Sequence, residues 1–251
     1  VPGAHPPPPA PPPRGGGSWG GDAGGGVFVV TATATISGNQ IFSNTSRDGG
    51  GLALVSSKSV VVKNTFAHNT AIDNISVFGW GGGLLAYNSP GAWIGSNTFY
   101  SNTAEWGGGL LPAYTDGITI TENTVISNGA NQGAGVFLLD SNSILANNLI
   151  SANYGGDVIN LYYNNNTILD RNIISGNHGI ALGMRGTQAT FRNNTIASNQ
   201  GNGFFIMQSV VTLIDNMIVD NVESYRGAVH IYGSTAYLLH NTIARTTGPG
   251  V

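Results

Sequence analysis

The stretch "SNTFYSNTAEWGGGLL" (residues 96–111) has a close copy upstream, "KNTFAHNTAIDNISVFGWGGGLL" (residues 63–85). Both read Asn-Thr-Phe, then Asn-Thr-Ala, then Trp-Gly-Gly-Gly-Leu-Leu. A phrase that recurs after a few tens of residues is the signature of stacked structural repeats. The fold class therefore depends on the period of this repeat and on the residue types that fill each position.

The repeat is defined by an asparagine that is followed two residues later by a large apolar residue. The residue three positions before this asparagine is also apolar, and a second asparagine follows five positions later in all but the last repeat. The spacings between successive first asparagines are 25, 33, 26, 25, 24, 22, 22 and 25 residues. These asparagines are Asn39, Asn64, Asn97, Asn123, Asn148, Asn172, Asn194, Asn216 and Asn241.

Each repeat contains three short apolar segments that are separated by Gly, Asn or Ser. Segments of about four to six residues, rich in Val, Ile, Leu, Phe and Thr, indicate strands rather than helices. Three strands per turn of about 22–25 residues are typical of a right-handed parallel β-helix. We therefore predict an all-β fold, a single-stranded parallel β-helix of about nine three-strand coils over residues 24–251.

The opening phrase is interpreted as scaffold. Phe99 is predicted to lie in the stacked core, and Gly107 to Gly109 to form a tight corner. An inward asparagine at a turn can bond its own coil and the amide of the next coil, which satisfies polar groups that the turn would otherwise bury unpaired. The predicted ladder residues are Asn64, Asn97, Asn123, Asn148, Asn172, Asn194 and Asn216.

Two motifs carry a family resemblance. "FAHN" (66–69) and "FYSN" (99–102), each followed by "GGGL", resemble the FxxN and GGA[ILV] repeats of polymorphic outer-membrane proteins and related bacterial β-helix adhesins. More widely, residues 24–243 resemble the pectate-lyase-like superfamily. The resemblance implies the fold but leaves the function open, because lyases, hydrolases, epimerases, adhesins and phage spikes share this coil.

Residues 1–23 differ from the repeats and are predicted to form an extended arm. They hold eight of the eleven prolines, followed by a glycine run. Such a segment favours polyproline II and then flexible chain, and it cannot bury a core alone. Because neither end of the repeat array shows a polar or helical cap, we expect the ends to self-associate. The arm would then clamp a neighbouring subunit or fold back on its own rod.

The composition excludes several classes of partner. Only 8% of residues are charged and the net charge is −3, so a basic surface for nucleic acid is not expected. Apolar runs are too short for a membrane-spanning helix, and the absence of cysteine excludes disulfides. A weakly charged chain rich in Asn, Ser, Thr and Gly is typical of an extracellular or cell-surface protein.

No constellation of catalytic residues stands out. The resemblance implies that a sugar-processing member would carry carboxylates and basic residues on one outer face, yet the twelve acidic residues include no adjacent pair. Asp170 and Arg192 lie on adjacent coils and are read as a charge-neutralised turn in preference to an acid–base strip, and His178 as a turn residue. No cofactor or metal site is predicted. The richest polar column precedes the asparagines: Glu122, Asn147, Arg171, Asn193, Asp215 and His240.

Aromatic residues form a second column of interest. Trp80 and Trp106 precede the glycine corner on consecutive coils and are predicted to stack on the outside, with Tyr87 and Tyr114 extending the column. They would bind sugar rings, or pack under the insertion at about residues 71–79 or against a neighbouring molecule. The chain also contains four N-glycosylation sequons, at Asn44, Asn74, Asn165 and Asn193.

Two hypotheses for function follow. The first is a non-catalytic extracellular structural protein that assembles head to tail with copies of itself into a filament. The alternative is a carbohydrate-binding adhesin, with cell-surface glycans as partners, or a polysaccharide-degrading enzyme. The lack of a carboxylate or Arg/Lys constellation favours the first.

Overall fold

A computed structural model of the protein describes residues 23–72, 79–222 and 227–247. The chain winds into a right-handed parallel β-solenoid with three long sheets of nine strands each, which confirms the predicted fold class. Successive strands of each sheet come from successive coils, and all of their pairings are parallel. The described residues form no helix long and apolar enough to cross a membrane.

The first sheet contains the segments that follow the glycine corners. Its strands are Val27–Val30, Leu52–Val55, Leu84–Tyr87, Leu110–Ala113, Val136–Leu139, Ile159–Tyr162, Leu182–Arg185, Phe204–Met207 and Val229–Tyr232. The second sheet follows it in each coil. Its strands are Thr35–Ser37, Val60–Val62, Trp93–Gly95, Ile118–Thr121, Ser143–Ala146, Thr167–Asp170, Gln188–Arg192, Val210–Ile214 and Thr235–Leu239.

The third sheet closes each coil. Its strands are Gln40–Phe42, Thr65–Ala67, Thr98–Tyr100, Thr124–Ile126, Leu149–Ser151, Ile173–Ser175, Thr195–Ala197, Met217–Val219 and Thr242–Ala244. Two additional pairs of short strands lie beside it, Thr45–Ser46 with Thr70–Ala71 and Gly129–Ala130 with Tyr154–Gly155.

The core consists of like residues stacked at the same position of successive coils. Ile94 pairs in register with Val61 on one side and Ile120 on the other, and all three are buried. The rings of Phe66 and Phe99 lie nearly parallel, with centroids 4.9 Å apart. Phe99 is therefore a core residue, as predicted, and the apolar period of the sequence corresponds to the coil spacing of about 4.8 Å.

Each coil turns through three corners in the left-handed backbone region. The corners are occupied by 23 non-glycine residues with φ between 45 and 57° and by Gly38, Gly176, Gly186 and Gly233. This conformation costs an L-residue roughly 1–2 kcal/mol. The residue after most corners is a buried polar side chain bonded to the neighbouring coil, and those bonds offset the cost.

The triple glycine of the opening phrase forms a further corner that enters the first sheet. Gly107 has φ 67°. A Cβ atom on Gly108 or Gly109 would lie 2.5 Å from the carbonyl oxygen of Gly129 or Gly135 of the next coil. Glycine is thus required at these positions because the backbones of neighbouring coils approach closely. This confirms the interpretation of the triple glycine as a tight corner.

Candidate functional site

The asparagines of the repeat form a continuous ladder along the rod, as predicted. The Nδ2 of Asn148 donates to Oδ1 of Asn172 at 2.9 Å and to the carbonyl oxygen of Ile120 at 2.9 Å. The same arrangement links every consecutive pair from Asn39 to Asn241. A second ladder connects Asn44, Asn69, Asn102, Asn128, Asn153, Asn177, Asn199 and Asn221.

A third ladder follows the first sheet and was not predicted. Its residues are mostly hydroxyl-bearing, and each one after Ser57 accepts a backbone N–H from the previous coil: the N–H of Ser89, for example, donates to Oγ1 of Thr115 at 3.1 Å. Ser57 begins the ladder, and its hydroxyl donates to the carbonyl oxygen of Ala32 at 2.6 Å. The sequence signal is a small polar residue two positions after the strand. The residues are Ser57, Ser89, Thr115, Ser141, Asn164, Thr187, Ser209 and Ser234.

The polar column singled out in the sequence corresponds to one row of left-handed corners. All six of its residues have φ between 53 and 57° and are exposed: Glu122, Asn147, Arg171, Asn193, Asp215 and His240. Short polar side chains, Asn and Asp above all, tolerate this conformation at a solvent-exposed turn better than apolar ones. The polarity of the column is therefore explained by backbone geometry.

Asp170 is the most buried carboxylate associated with this column. Its Oδ2 accepts hydrogen bonds from Arg171 at 2.9 Å and from Arg192 at 3.3 Å, and its Oδ1 accepts one from Asn193 at 3.2 Å. The predicted pairing of Asp170 with Arg192 is confirmed. Both carboxylate oxygens of Asp170 are therefore engaged by neighbouring side chains.

Other polar residues of this column also contact side chains of neighbouring coils. His240 lies 3.7 Å from Asp215 on the preceding coil, and Ser96 donates to Glu122 at 3.0 Å. His178, the turn residue, is exposed and lies 3.0 Å from Oε1 of Gln200. Among the residues that the structure describes, no group of three or more His, Cys, Asp or Glu side chains could hold a metal ion.

Trp80 and Trp106 stack on consecutive coils, with ring centroids 5.5 Å apart. The expectation that they stack on the outside is wrong in one respect, because both indoles are buried, at 4% and 3% exposure. Tyr87 and Tyr114 lie beside them, edge to face at 5.6 Å. Burial excludes these indoles as an open platform for sugar rings, and it supports the packing alternative. Most of the insertion at residues 71–79 lies outside the described residues.

The two tryptophans belong to a second apolar cluster on the outward side of the first sheet, here called the aromatic face. It consists of Trp80, Leu85, Trp106, Leu111, Ala113, Phe137, Leu139 and Tyr162, with Tyr87 and Tyr114 at its border. Leu85, Leu111 and Phe137 have no exposed surface. Outward residues of the second and third sheets, such as Ile144 and Ile173, are 45% and 48% exposed. The outward side of the first sheet is therefore buried along these coils, unlike the outward sides of the other two sheets.

The aromatic face ends at the half-buried residue Asp157, which the sequence analysis missed. Asp157 replaces the middle glycine of the corner and lies over Gly183 of the next coil, whose absent side chain leaves the space it fills. Its Oδ2 accepts a hydrogen bond from Nδ2 of Asn160 at 2.9 Å. Burial raises the pKa of Asp157 to about 7. Burial likewise raises the pKa of Tyr114 and of Tyr162 to about 12.

The four sequons lie in different environments. Asn44 is half-buried, and its Nδ2 donates to Oδ1 of Asn69 in the second ladder. Asn165 and Asn193 are exposed at turns. Asn74 lies outside the described residues. Asn165 thus has the exposed loop position that an N-glycan needs, whereas the amide of Asn44 is already engaged.

The stacked coils, in-register sheets and polar ladders define a parallel β-helix protein. The sequence matches the family described as "Right handed beta helix region" over residues 18–130 and 82–247, and the chain belongs to that family. No curated protein matches the sequence.

Solved structures of the periplasmic alginate epimerase AlgG share the fold. Two AlgG variants superpose with a TM-score of 0.68 at 18% identity, covering 87% of this chain and 51% of theirs. A third AlgG structure gives a TM-score of 0.59 at 16% identity, covering 91% of this chain and 61% of that one. The chain thus spans about half the length of the first two, and identities this low establish the fold alone.

Proposed function

We propose that this protein is an exported, non-catalytic structural rod that assembles head to tail, with the last coil of one copy stacked on the first coil of the next. The proposal rests on the solvent exposure of the apolar side chains in the last described coil. Its inward-facing residues Ile231, Leu238 and Ile243 are 40–45% exposed. The equivalent residues one coil earlier, Ile206, Leu213 and Ile218, are completely buried.

The first described coil has the complementary features. A depression at this end is lined by Val27, Ile36 and Ile41. Ile36 and Ile41 occupy the same repeat positions as Leu238 and Ile243 of the last coil. Apolar side chains of the last coil would continue the core stack there, and the strand edges of the two coils would pair. Burial of the apolar residues is the driving force for such an association.

The polarity of the asparagine ladder also fits head-to-tail stacking. Each rung donates its Nδ2 and its backbone N–H to Oδ1 of the next rung. Within the described residues, no group donates to Oδ1 of Asn39, the first rung. Asn241, the last rung, uses its Nδ2 on the carbonyl oxygens of Leu213 and Leu239. A copy stacked beyond Asn241 would place Asn39 Oδ1 where the next acceptor belongs.

The non-catalytic part of the proposal rests on how the acidic residues are engaged. The carboxylate of Asp170 is bonded by Arg171 and Arg192. The carboxyl group of Asp157 is bonded by the side-chain amide of Asn160. Among the described residues, neither has a second carboxylate in hydrogen-bond contact. Glycoside hydrolysis requires two carboxyl groups flanking the scissile bond. Export is proposed because the structural neighbours are periplasmic.

The test is the size of the assembly at increasing protein concentration. Sedimentation velocity of the full chain should show a series of oligomers that lengthen with concentration. The variant Leu238→Lys places a charge in the proposed junction and should give monomers. Tyr237→Lys, on the same strand but facing outward, is the matched control and should assemble normally. A monomeric wild-type chain at all concentrations, or equal behaviour of the two variants, would refute the proposal.

A second candidate function is polysaccharide binding or modification. It is favoured by the likeness to AlgG, described as an alginate epimerase, and by the row of polar corners around Asp170. Incubation with alginate and pectin, followed by assays for new reducing ends, unsaturated uronates and a changed uronate ratio, would test it. Turnover that is lost in Asp170→Ala or Asp215→Ala would favour this candidate over the structural rod.

The role of the arm is a separate question. Residues 1–22 lie outside the described structure, so the predicted clamp on a neighbouring subunit stays a prediction. Head-to-tail stacking through the coils does not depend on it.

A further inference from the structure

The aromatic face is a buried apolar surface on the outside of a solenoid. It extends over four coils, from Leu85 to Tyr162, which is about 14 Å at 4.8 Å per coil. Contiguous apolar surface on the outside of a protein marks a contact with another segment or molecule. A cover is required here, because Leu85, Leu111 and Phe137 have no exposed surface, whereas outward residues of the other two sheets such as Ile144 and Ile173 are exposed.

We infer that residues 1–22 of the same chain lie along the aromatic face, with their proline run in the polyproline II conformation. The point at which the described chain begins supports this assignment. Ala23 forms a parallel bridge with Asp48, Asp48 with Trp80, and Trp80 with Trp106. The N–H of Gly24 donates to the carbonyl oxygen of Asp48 at 2.8 Å. Residue 23 therefore stands in the same column as the two indoles, at the border of the face.

The chemistry of the segment suits an aromatic surface. Proline-rich segments in polyproline II dock on grooves lined by aromatic side chains, because the conformation is preformed and loses little entropy. Proline has no N–H, so a proline run can lie on apolar side chains without burying an unpaired donor. Residues 6–13 contain seven prolines and Ala10.

The backbone carbonyl groups of the proline run can supply a hydrogen-bond acceptor to the aromatic face. The hydroxyl of Tyr162 is buried and makes no hydrogen bond of regular geometry within the described part of the chain, although it interacts with Tyr163 and Arg185. A buried hydroxyl without a well-aligned partner destabilises the folded state. Backbone carbonyl oxygens of a polyproline II segment point outward and can accept this hydrogen bond.

The length of the segment permits docking within one chain. Tyr162 lies five coils from the coil of Ala23, about 24 Å along the rod. The ten residues from Pro13 to Ala23 span at most about 33–36 Å when extended. The proline run can therefore reach every part of the face without a second molecule.

The insertion between Ile72 and Gly79 is too short to be the cover of the whole face. Both of its ends are fixed by backbone hydrogen bonds, Ile72 N–H to Ser46 at 2.8 Å and Glu105 N–H to Gly79 at 3.2 Å. Seven residue steps span at most about 25 Å. Reaching Tyr162, about 14 Å further along the rod, and returning would require about 28 Å.

Cross-linking in the full chain tests the inference, and the absence of native cysteine makes engineered pairs unambiguous. Ala10→Cys is combined with Tyr163→Cys, at the edge of the face, or with Ile173→Cys, on the third sheet of the same coil. Both rod positions are about equally exposed, at 50% and 48%. A short bismaleimide should join residue 10 to residue 163 within one chain, with a yield several-fold above that for residue 173.

Two results would overturn the inference. Equal yields for the two pairs would show that the segment does not dock on the aromatic face. Covalent dimers from the Ala10→Cys/Tyr163→Cys chain would show that the segment lies on a neighbouring molecule. Neither result bears on stacking of the terminal coils, so this test and the sedimentation test can fail independently.

Tryptophan accessibility gives a second measurement. In a full chain carrying Trp19→Phe and Trp93→Phe, fluorescence reports only on Trp80 and Trp106. Replacing the seven prolines of residues 6–13 by serine should raise acrylamide quenching several-fold. Replacing Gly15, Gly16 and Gly17 by serine is the control and should leave quenching unchanged. Unchanged quenching in the proline-substituted chain would overturn the inference.

Discussion

Asn148 and Asn172 are joined by two hydrogen bonds to a single atom. Oδ1 of Asn172 accepts Nδ2 of Asn148 at 2.9 Å and the backbone N–H of Asn148 at 3.0 Å. Each rung thus pairs a side chain and a backbone donor of one coil with the next coil. The ladder satisfies polar groups at corners that are buried on both sides, which a solenoid of this length could not leave unpaired.

The first prediction concerns this ladder. Asn148→Ala removes the amide and leaves buried partners on both neighbouring coils unpaired, including the carbonyl oxygen of Ile120. We expect a loss of about 1–3 kcal/mol in the free energy of unfolding. Chemical denaturation monitored by circular dichroism measures it. Thr124→Ala, on the outward side of the third sheet, is the control, and an equal loss in both variants would contradict the ladder's role.

The second prediction compares two adjacent isoleucines on one strand. Ile174 is fully buried and Ile173 is 48% exposed. Ile174→Ala should cost about 2–5 kcal/mol, because it leaves a cavity in the stacked core. Ile173→Ala should cost much less, since its side chain faces solvent. A reversed order of the two melting temperatures would show that the inward and outward assignments are wrong.

The third prediction concerns the left-handed corners. Ala152 has φ 53° and Gly176 of the next coil has φ 63°, with open space where a Cβ atom would lie. Ala152→Gly should therefore stabilise the protein modestly, and Gly176→Ala should cost about 1–2 kcal/mol through backbone strain alone. Thermal unfolding of the two variants measures both effects. Destabilisation by Ala152→Gly would show that the corner is not strained.

The fourth prediction concerns the carboxyl group of Asp157. Because burial raises the pKa of Asp157 from 3.8 to about 7, its protonated form is favoured by folding. This contribution is fully present below pH 4 and is lost as the pH rises through 7. Asp157→Asn should therefore be more stable than the wild type at pH 8, by about 1–4 kcal/mol, and similar to it at pH 4. Chemical denaturation of both chains at pH 4 and pH 8 measures the difference in their free energies of unfolding. A difference that is larger at pH 4 than at pH 8 would contradict the prediction.

The fold was predictable because each coil of the solenoid repeats the same pattern of apolar and polar residues in the sequence. Ile94, Ile120 and Leu145 occupy one repeat position and one core column, so the periodic pattern identified both the strands and their inward side. The asparagines were recognisable for the same reason. The hydroxyl ladder was missed because Ser57 and Thr115 are common residues whose role depends on three-dimensional register.

The aromatic face could not be predicted from the period alone. A residue on the outward side of a strand, such as Leu111, is expected to face solvent, yet Leu111 has no exposed surface. Asp157 was overlooked for a related reason. It breaks the glycine pattern at one coil, and its environment depends on Gly183 of the next coil, which lies 26 residues later in the sequence.

The most direct test of the structural-rod proposal is the length distribution of the purified full chain in electron micrographs. Nine coils at about 4.8 Å give each subunit an axial length of about 43 Å. Coil-on-coil stacking predicts unbranched rods of constant width, with lengths that cluster at multiples of this value and increase with protein concentration. Particles of a single subunit length at every concentration would contradict the account.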